Sequence, residues 1–303
     1  MKLETDLGRG LRLQNPVLAA SGTFGYGVEA ARFFDVSALG AIIGKTITKE
    51  PREGNLPPRM AETPAGMLNS IGLQNPGLDR FLADTLPRMT SLGVPVVANV
   101  AGEDPGQFAE LTLAVSKAPG VVAIELNISC PNVSHGLDLA QDPGRCAEVV
   151  SACRRVTELP LWAKLTPNIS DVKPVARAAE SAGADAIVTG NTVLGLAVDW
   201  RRGKPRLARG AGGLSGPAIR PIALRFTRDA CRAVKIPVIG CGGIRDAEDA
   251  LEFFCVGATA VQIGTATFVE PTAALDVVRG IEALLAAEKK TLEEVRGSYR
   301  EPS

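Results

Sequence analysis

The sequence predicts a (β/α)8 barrel, and three observations carry that expectation. Eight short apolar runs, many of them β-branched, alternate with longer segments of helical spacing through most of the chain. Most of these runs are apolar at consecutive positions, as expected of parallel strands covered on both faces. The length, 303 residues, exceeds the roughly 250 residues typical of such barrels and leaves room for insertions.

Taken in order, Leu3–Leu7 and Leu11–Leu13 flank Gly8-Arg9-Gly10 and read as an N-terminal hairpin closing the barrel's bottom. The eight strands are expected at Pro16–Ala20, Ala41–Thr46, Pro95–Val100, Val121–Ile128, Leu159–Leu165, Ala184–Thr189, Ile236–Gly240 and Ala258–Ile263. Amphipathic segments between them include Asp104–Lys117, Pro143–Thr157, Asp171–Ala182, Pro217–Val234 and Asp246–Phe254. Two connections exceed ordinary loops. Residues 48–93 are rich in Pro, Gly and Asn before turning helical near Leu78–Met89, and Val193–Ser215 is basic and glycine-rich. Both leave strand C-termini, where barrels of this type build active sites, so both are candidates for function. The whole of 1–303 reads as one barrel domain.

Composition narrows the function classes. Apolar residues make up 46% and charged residues 22% of the chain, enough for a large core and unlike a disordered chain. Thirty-three basic residues balance 33 acidic ones, so no global field favours nucleic acid or an anionic membrane. The six cysteines form no CxxC pair and show no zinc or iron–sulfur spacing, so no metal site is expected. The opening MKLETDLGRG has no apolar signal-like stretch, and no window is apolar enough to span a bilayer, which makes the cytoplasm the expected location.

Polar residues concentrate at the predicted strand ends: Ser21 and Thr23 after the first, Lys45 and Thr46 at the second, Asn99 at the third, Asn127 and Cys130 at the fourth, Lys164 in the fifth, Asn191 and Thr192 after the sixth. The run Glu125-Leu126-Asn127-Ile128-Ser129-Cys130-Pro131-Asn132-Val133 is the densest, bringing one thiol and two amides off an apolar strand that Pro131 must stop. A thiol can move a proton and an amide both donates and accepts, so a planar polar substrate can be held and deprotonated there. The bland alternative for any one of these residues is a buried thiol with turn-capping asparagines. Lys164, inside Leu161–Leu165, must desolvate its ammonium unless something pairs with it, and an anionic ligand is the expected partner; the same reasoning applies to Lys45. After the seventh and eighth strands, Gly242-Gly243 and Gly264-Thr265 expose backbone N–H groups at the usual phosphate position of a barrel, with Gly216 at a helix start.

The motifs SGTFGYG (21–27), GKTIT (44–48), MLNSIGLQNPG (67–77), NISCPNVSHG (127–136), KLTPN (164–168), GNT (190–192), GLSGP (213–217) and GCGGI (240–244) together resemble those of class 1 dihydroorotate dehydrogenases, across nearly the whole chain. The SGTFGYG and NVSHG segments are most like the type 1B catalytic subunit. The resemblance implies an FMN-binding barrel that oxidises (S)-dihydroorotate to orotate in pyrimidine biosynthesis. It implies phosphate contacts at Gly216, Gly242, Gly243, Gly264 and Thr265, and ring or ribityl contacts at Ser21, Lys45, Thr46, Asn99, Asn127, Lys164 and Gly190. Substrate contacts would fall to Lys45, Asn69, Ser70, Ile71, Gly72, Leu73, Asn127, Asn132, Asn191 and Thr192. Cys130 would take the C5 proton, on a flap formed by residues 131–136, while the C6 hydride goes to FMN. His135 in that segment, the chain's one histidine, reads as a solvent-facing loop residue. A partner subunit carrying FAD and a [2Fe-2S] cluster would pass electrons to NAD, in a heterotetramer built on a catalytic homodimer.

Three positions depart from the family pattern: Gly190 stands where a larger aliphatic residue is common, Cys241 where methionine or another apolar residue is expected, and Arg201–Arg209 is unusually basic. Three alternatives stay open at this level. A dihydropyrimidine dehydrogenase-like FMN barrel would move a hydride across a pyrimidine's 5,6 bond with a cysteine. A type 1A enzyme would use fumarate. A non-catalytic phosphate-binding scaffold would hold no flavin.

Overall fold

The computed structural model of the protein describes residues 3–128 and 141–301. Its centre is a closed barrel of eight parallel strands: β1 (Val17–Ala19), β2 (Ala41–Ile43), β3 (Val96–Val100), β4 (Val121–Asn127), β5 (Leu161–Leu165), β6 (Ala186–Thr189), β7 (Val238–Cys241) and β8 (Ala260–Ile263). Each strand pairs with its sequence neighbours, and β8 closes onto β1 through Val261–Val17 and Ile263–Ala19. All eight expected strands form, each shorter than the apolar run that announced it. The difference is largest at β2, where the chain leaves the barrel after Ile43 and Lys45 and Thr46 belong to the loop.

The outer helices follow the expected amphipathic segments. Pro105–Ser116, Pro143–Arg154 and Ala247–Cys255 are each capped by an aspartate, Asp104, Asp142 and Asp246, whose carboxylate accepts from the third residue beyond it. The segment expected at Pro217–Val234 opens instead as a 3-10 turn, Pro217–Ile219, before the α-helix Arg220–Cys231. Helix Leu78–Arg80 runs into a π turn, Phe81–Thr85, just ahead of Pro87, which has no N–H to donate. The long helix Ala273–Ala287 packs its buried face beside β1 and Ala247–Cys255 and is not among the expected elements.

Along each strand alternate residues face the barrel axis. Leu18, Ala41, Ile43, Val97, Ala123, Trp162, Ala186, Val188, Ile239 and Ala260 form a buried inner cluster, joined from below by Leu7 and Leu13. Those two leucines belong to the N-terminal hairpin, whose strands Thr5–Asp6 and Arg12–Leu13 pair antiparallel, so the hairpin plugs the barrel's bottom as expected. Thr5 donates to the Thr259 carbonyl (3.1 Å), and Arg9 forms ion pairs with Glu158 and Asp185.

The two long connections are not independent decorations. Met60–Thr63 and Gly66–Asn69 from the first, and Val193–Gly195 and Gly212–Ser215 from the second, form one four-stranded antiparallel sheet. The basic segment is an exposed hairpin, Val198–Asp199 paired with Lys204–Pro205, from which Arg209 reaches Asn55 (3.3 Å). Among the described residues no helix is long and apolar enough to cross a membrane, and no three His, Cys, Asp or Glu side chains gather as a metal site.

Candidate active site

A cleft at the C-terminal end of the barrel collects almost every described residue singled out in the sequence. It is lined by Ser21, Lys45, Thr46, Asn69, Ile71, Gly72, Leu73, Asn99, Asn127, Lys164, Gly190, Asn191, Thr192, Gly216, Gly242, Gly243, Gly264 and Thr265. The alternation that sends Val97, Ala123, Trp162 and Ala260 inward sends Asn99, Glu125, Lys164 and Gln262 inward as well, one layer higher, with Asn127 a further layer above. Apolar residues thus fill the lower barrel and polar ones form the floor of the cleft.

Glu125 organises that floor, and it is wholly buried. Its carboxylate accepts from Asn99 Nδ2 (2.5 Å), Gln262 Nε2 (2.5 Å) and Lys164 Nζ (3.3 Å), while Lys164 also donates to Gln262 Oε1 (3.1 Å). The register explains the meeting: Asn99 lies beside Glu125 across β3 and β4, and Lys164 beside Asn127 across β4 and β5. The expectation that Lys164 awaits an anionic ligand is therefore corrected, because Glu125 already neutralises it from the adjacent strand. Burial opposes the charge on Lys164, but attraction to Glu125 outweighs it and holds the lysine above its ordinary pKa. Cys241, also lining the cleft, is pushed up by burial despite Lys164 nearby, so it rests as a neutral thiol.

Above this layer, Asn127 donates to Thr46 Oγ1 (3.1 Å) and accepts from Asn191 Nδ2 (3.5 Å). Asn168, from the KLTPN motif, fixes the next loop by donating to the Thr192 carbonyl (3.0 Å) and accepting from Leu194 N–H (2.8 Å). The sheet built from the two insertions contributes Asn69, which donates to the Gly213 carbonyl (3.3 Å), and Ser215, whose hydroxyl accepts from Thr265 (2.8 Å). Ser70 departs from expectation. It is buried away from the cleft, where its hydroxyl accepts from Asn55 Nδ2 (3.0 Å) and its N–H bonds the Arg59 carbonyl (2.8 Å). Neighbouring residues of an extended segment point to opposite faces, and Asn69 takes the cleft side.

Two glycines are dictated by the fold. A Cβ on Gly190 would lie 1.9 Å from the Cys241 carbonyl oxygen, at a φ of +137°. That accounts for the departure at this position: β6 and β7 approach too closely there for any side chain. At Gly243, with φ +78°, a Cβ would meet the Arg220 backbone N at 2.7 Å. This turn is pinned from behind by Asp249, almost fully buried, which accepts from Arg245 N–H (3.0 Å) and Arg245 Nε (3.1 Å) and pairs with Arg220. Gly242, Gly243, Gly264, Thr265 and Gly216 thus line one end of the cleft, after β7 and β8.

Sequence reasoning missed Glu125, Gln262 and Asp249 as organisers, and Ser215 as a wall residue. Glu125 carried a signal, a lone carboxylate inside an apolar strand; Gln262, a lone amide in Ala260–Ile263, carried a similar one. Cys130, Asn132 and His135 lie outside the described residues.

Fold and site together define a (β/α)8 barrel with a polar, ion-paired floor and a glycine-lined end to its C-terminal cleft. The family model for dihydroorotate dehydrogenase matches residues 3–285, and the chain belongs to that family. The catalytic subunit of dihydroorotate dehydrogenase B (NAD(+)) of Geobacillus kaustophilus is 50% identical over 277 residues, covering 91% of this chain and 88% of the relative. That of Trichlorobacter lovleyi is 51% identical over 277 residues, 91% of each. Among solved structures, the Eimeria tenella DHODH in complex with ferulenol superposes with a TM-score of 0.82 over 99% of this chain and 89% of that one. At 19% identity this likeness bears on the fold alone.

The Gly190 contact yields a prediction. Gly190→Ala should destabilise the protein by at least about 2 kcal/mol, since backbone strain of this kind costs ~1–3 kcal/mol before the clash is added. Urea unfolding checks it, and an unchanged midpoint would contradict the packing described.

Proposed function

We propose that this chain is the catalytic subunit of an NAD-linked dihydroorotate dehydrogenase, oxidising (S)-dihydroorotate to orotate for pyrimidine biosynthesis with FMN as its cofactor. The observation that carries the reading is the pairing of a glycine cradle with a floor whose polar atoms call for a planar partner. Asn99 Oδ1 and Ser21 Oγ are buried without a hydrogen-bond partner, and both residues line the cleft. A heterocycle with N–H and carbonyl edges would satisfy Asn99 and Lys164 together, and buried polar atoms are rarely left unsatisfied. The residues present therefore fit FMN.

In this reading the phosphate rests on backbone N–H groups of Gly216, Gly242, Gly243, Gly264 and Thr265. Ser21, Thr46, Asn99, Asn127 and Gly190 meet the ring and ribityl chain, and Lys164 faces the pyrimidine edge. When bound, FMN supplies the acceptor for the C6 hydride of the substrate. The remaining work belongs to the protein. Lys45, half-buried at the cleft wall, attracts the substrate carboxylate, and Asn69, Ile71, Gly72, Leu73, Asn127, Asn191 and Thr192 orient the pyrimidine. Cys130, three residues beyond Asn127, accepts the C5 proton, and Asn132 adds a substrate contact from the same segment. A thiol of ordinary pKa, about 8.5, is a weak base at neutral pH, so turnover should rise with pH as the thiolate fraction grows.

Electrons must then leave the chain. We assign that step to a partner subunit carrying FAD and a [2Fe-2S] cluster, with the catalytic chain as a homodimer inside a heterotetramer. The relatives' name, catalytic subunit of an NAD(+) enzyme, supports the division of labour.

Two outcomes test this. Cys130→Ser should keep FMN and orotate binding while losing about 10²–10⁴-fold in kcat at neutral pH, with partial recovery at high pH; wild-type rates would remove Cys130 from the chemistry. Supplied with dihydroorotate, the purified chain should reduce artificial dyes and leave NAD untouched until a flavin and iron–sulfur subunit is added. Efficient fumarate reduction by the chain alone would instead indicate a type 1A enzyme.

A further inference from the structure

We infer that Glu125 is the positioning residue of the cleft floor: its carboxylate fixes the orientation of Asn99 and Gln262 and the seat of Lys164, so that an acceptor and a cation stand side by side toward the cofactor. The inference rests on the FMN reading for its functional meaning, and on hydrogen-bond geometry for its substance.

An ionised carboxylate only accepts hydrogen bonds. Glu125 takes three, from Asn99 Nδ2, Gln262 Nε2 and Lys164 Nζ, and none of the four side chains is more than marginally exposed. Gln262 cannot be flipped, because its Oε1 would then face the Glu125 oxygen and its NH2 the Lys164 ammonium. Asn99 is held by the same logic: with Nδ2 on Glu125, its Oδ1 is left without a partner. That orientation is set by Glu125 alone. The acceptor that Asn99 offers and the donor that Lys164 offers are thus two consequences of one carboxylate, which itself does not line the cleft.

Glutamine at 125 would keep the shape and change the pattern. It has one acceptor and one donor group where three donors converge, so either Asn99 turns its NH2 toward the cofactor or two NH2 groups collide. It also removes the charge that compensates Lys164. The titratable groups acting on Lys164 are Glu125 on β4 and the Cys241 thiol on β7, while Gln262 on β8 is neutral. Cys241 is held protonated by burial and cannot replace the carboxylate. Without Glu125 the lysine faces desolvation with no counter-charge, and buried lysines of that kind titrate several units below about 10.4.

The signs follow by linkage. In the wild type the folded-state pKa of Lys164 is raised, so its stabilising contribution is complete below the unfolded value and is lost only as pH climbs through the raised one. Between about pH 7 and 9.5 the Lys164 contribution is therefore flat. In Glu125→Gln the folded pKa drops below the unfolded one, the unfolded chain holds more protons, and stability rises with pH across the same window.

The test compares wild type, Glu125→Gln and Glu125→Gln/Lys164→Met, reading FMN affinity by flavin fluorescence quenching and apoprotein stability by urea midpoint, both against pH. Glu125→Gln should bind FMN at least about tenfold more weakly at neutral pH, as expected for losing a buried charged hydrogen-bond partner. Its FMN affinity should fall further as pH rises, and its stability deficit should shrink. Both pH trends should vanish when Lys164→Met is added. Wild-type affinity with flat profiles in Glu125→Gln would overturn the inference. If that variant cannot be isolated folded, Glu125→Asp keeps the charge on a shorter arm: weaker FMN binding with a flat pH profile supports the assignment, and wild-type affinity refutes it. Should the wild-type chain bind no FMN at all, the cofactor reading fails, while the apoprotein stability profiles still decide whether Glu125 governs Lys164.

Discussion

The buried ion pair between Glu125 and Lys164 is the constraint around which the upper half of the barrel is organised. A carboxylate and an ammonium placed in a dry interior each cost several kcal/mol to desolvate, and only close pairing with further hydrogen bonds offsets that. Here the further bonds come from Asn99 and Gln262, so four strands contribute one side chain each to a single closed network. Removing one member of such a pair typically costs ~3–5 kcal/mol, more than a pair of this kind usually adds over an apolar alternative. A barrel selected for stability alone would fill this layer with Val, Ile and Leu. Its polar floor is better understood as an investment in what lies above it.

Two further devices complete the site. Asp249, buried behind the turn after β7, ties Arg245 and Arg220 together and holds Gly243 where a side chain would strike the Arg220 backbone. On the opposite wall, the four-stranded sheet brings Asn69 and Ser215 to the rim from segments far apart in sequence. The floor, the cradle and the rim are therefore held by different parts of the chain. Preorganisation of this kind suits a site that must hold its ligands without reorganising around them.

Most of this architecture was legible in the sequence. Eight apolar runs gave the barrel strands because strands covered on both faces leave that signature irrespective of context. The cleft residues were legible because polar side chains such as Asn99, Asn127 and Lys164 are conspicuous at the ends of apolar runs, and the family motifs named their company. Pairing between distant segments was not legible. Lys164 meets Glu125 across 39 positions and Gln262 meets Glu125 across 137, distances over which no local pattern reports contact. The same limit hid the sheet joining the two insertions, whose short, glycine-rich strands carry no alternation of their own. The turning of the Ser70 side chain away from the cleft was not legible either: the motif around it is continuous in sequence, while alternate residues of an extended segment face opposite ways.

On the function proposed above, this cleft holds FMN and passes to it the hydride of dihydroorotate. The most direct measurement is an anaerobic titration of the purified, FMN-loaded chain, followed by its visible flavin absorbance. The claim predicts that dihydroorotate bleaches the absorbance while dihydrouracil leaves it unchanged. A chain that retains no flavin, or one bleached by dihydrouracil and not by dihydroorotate, would contradict it.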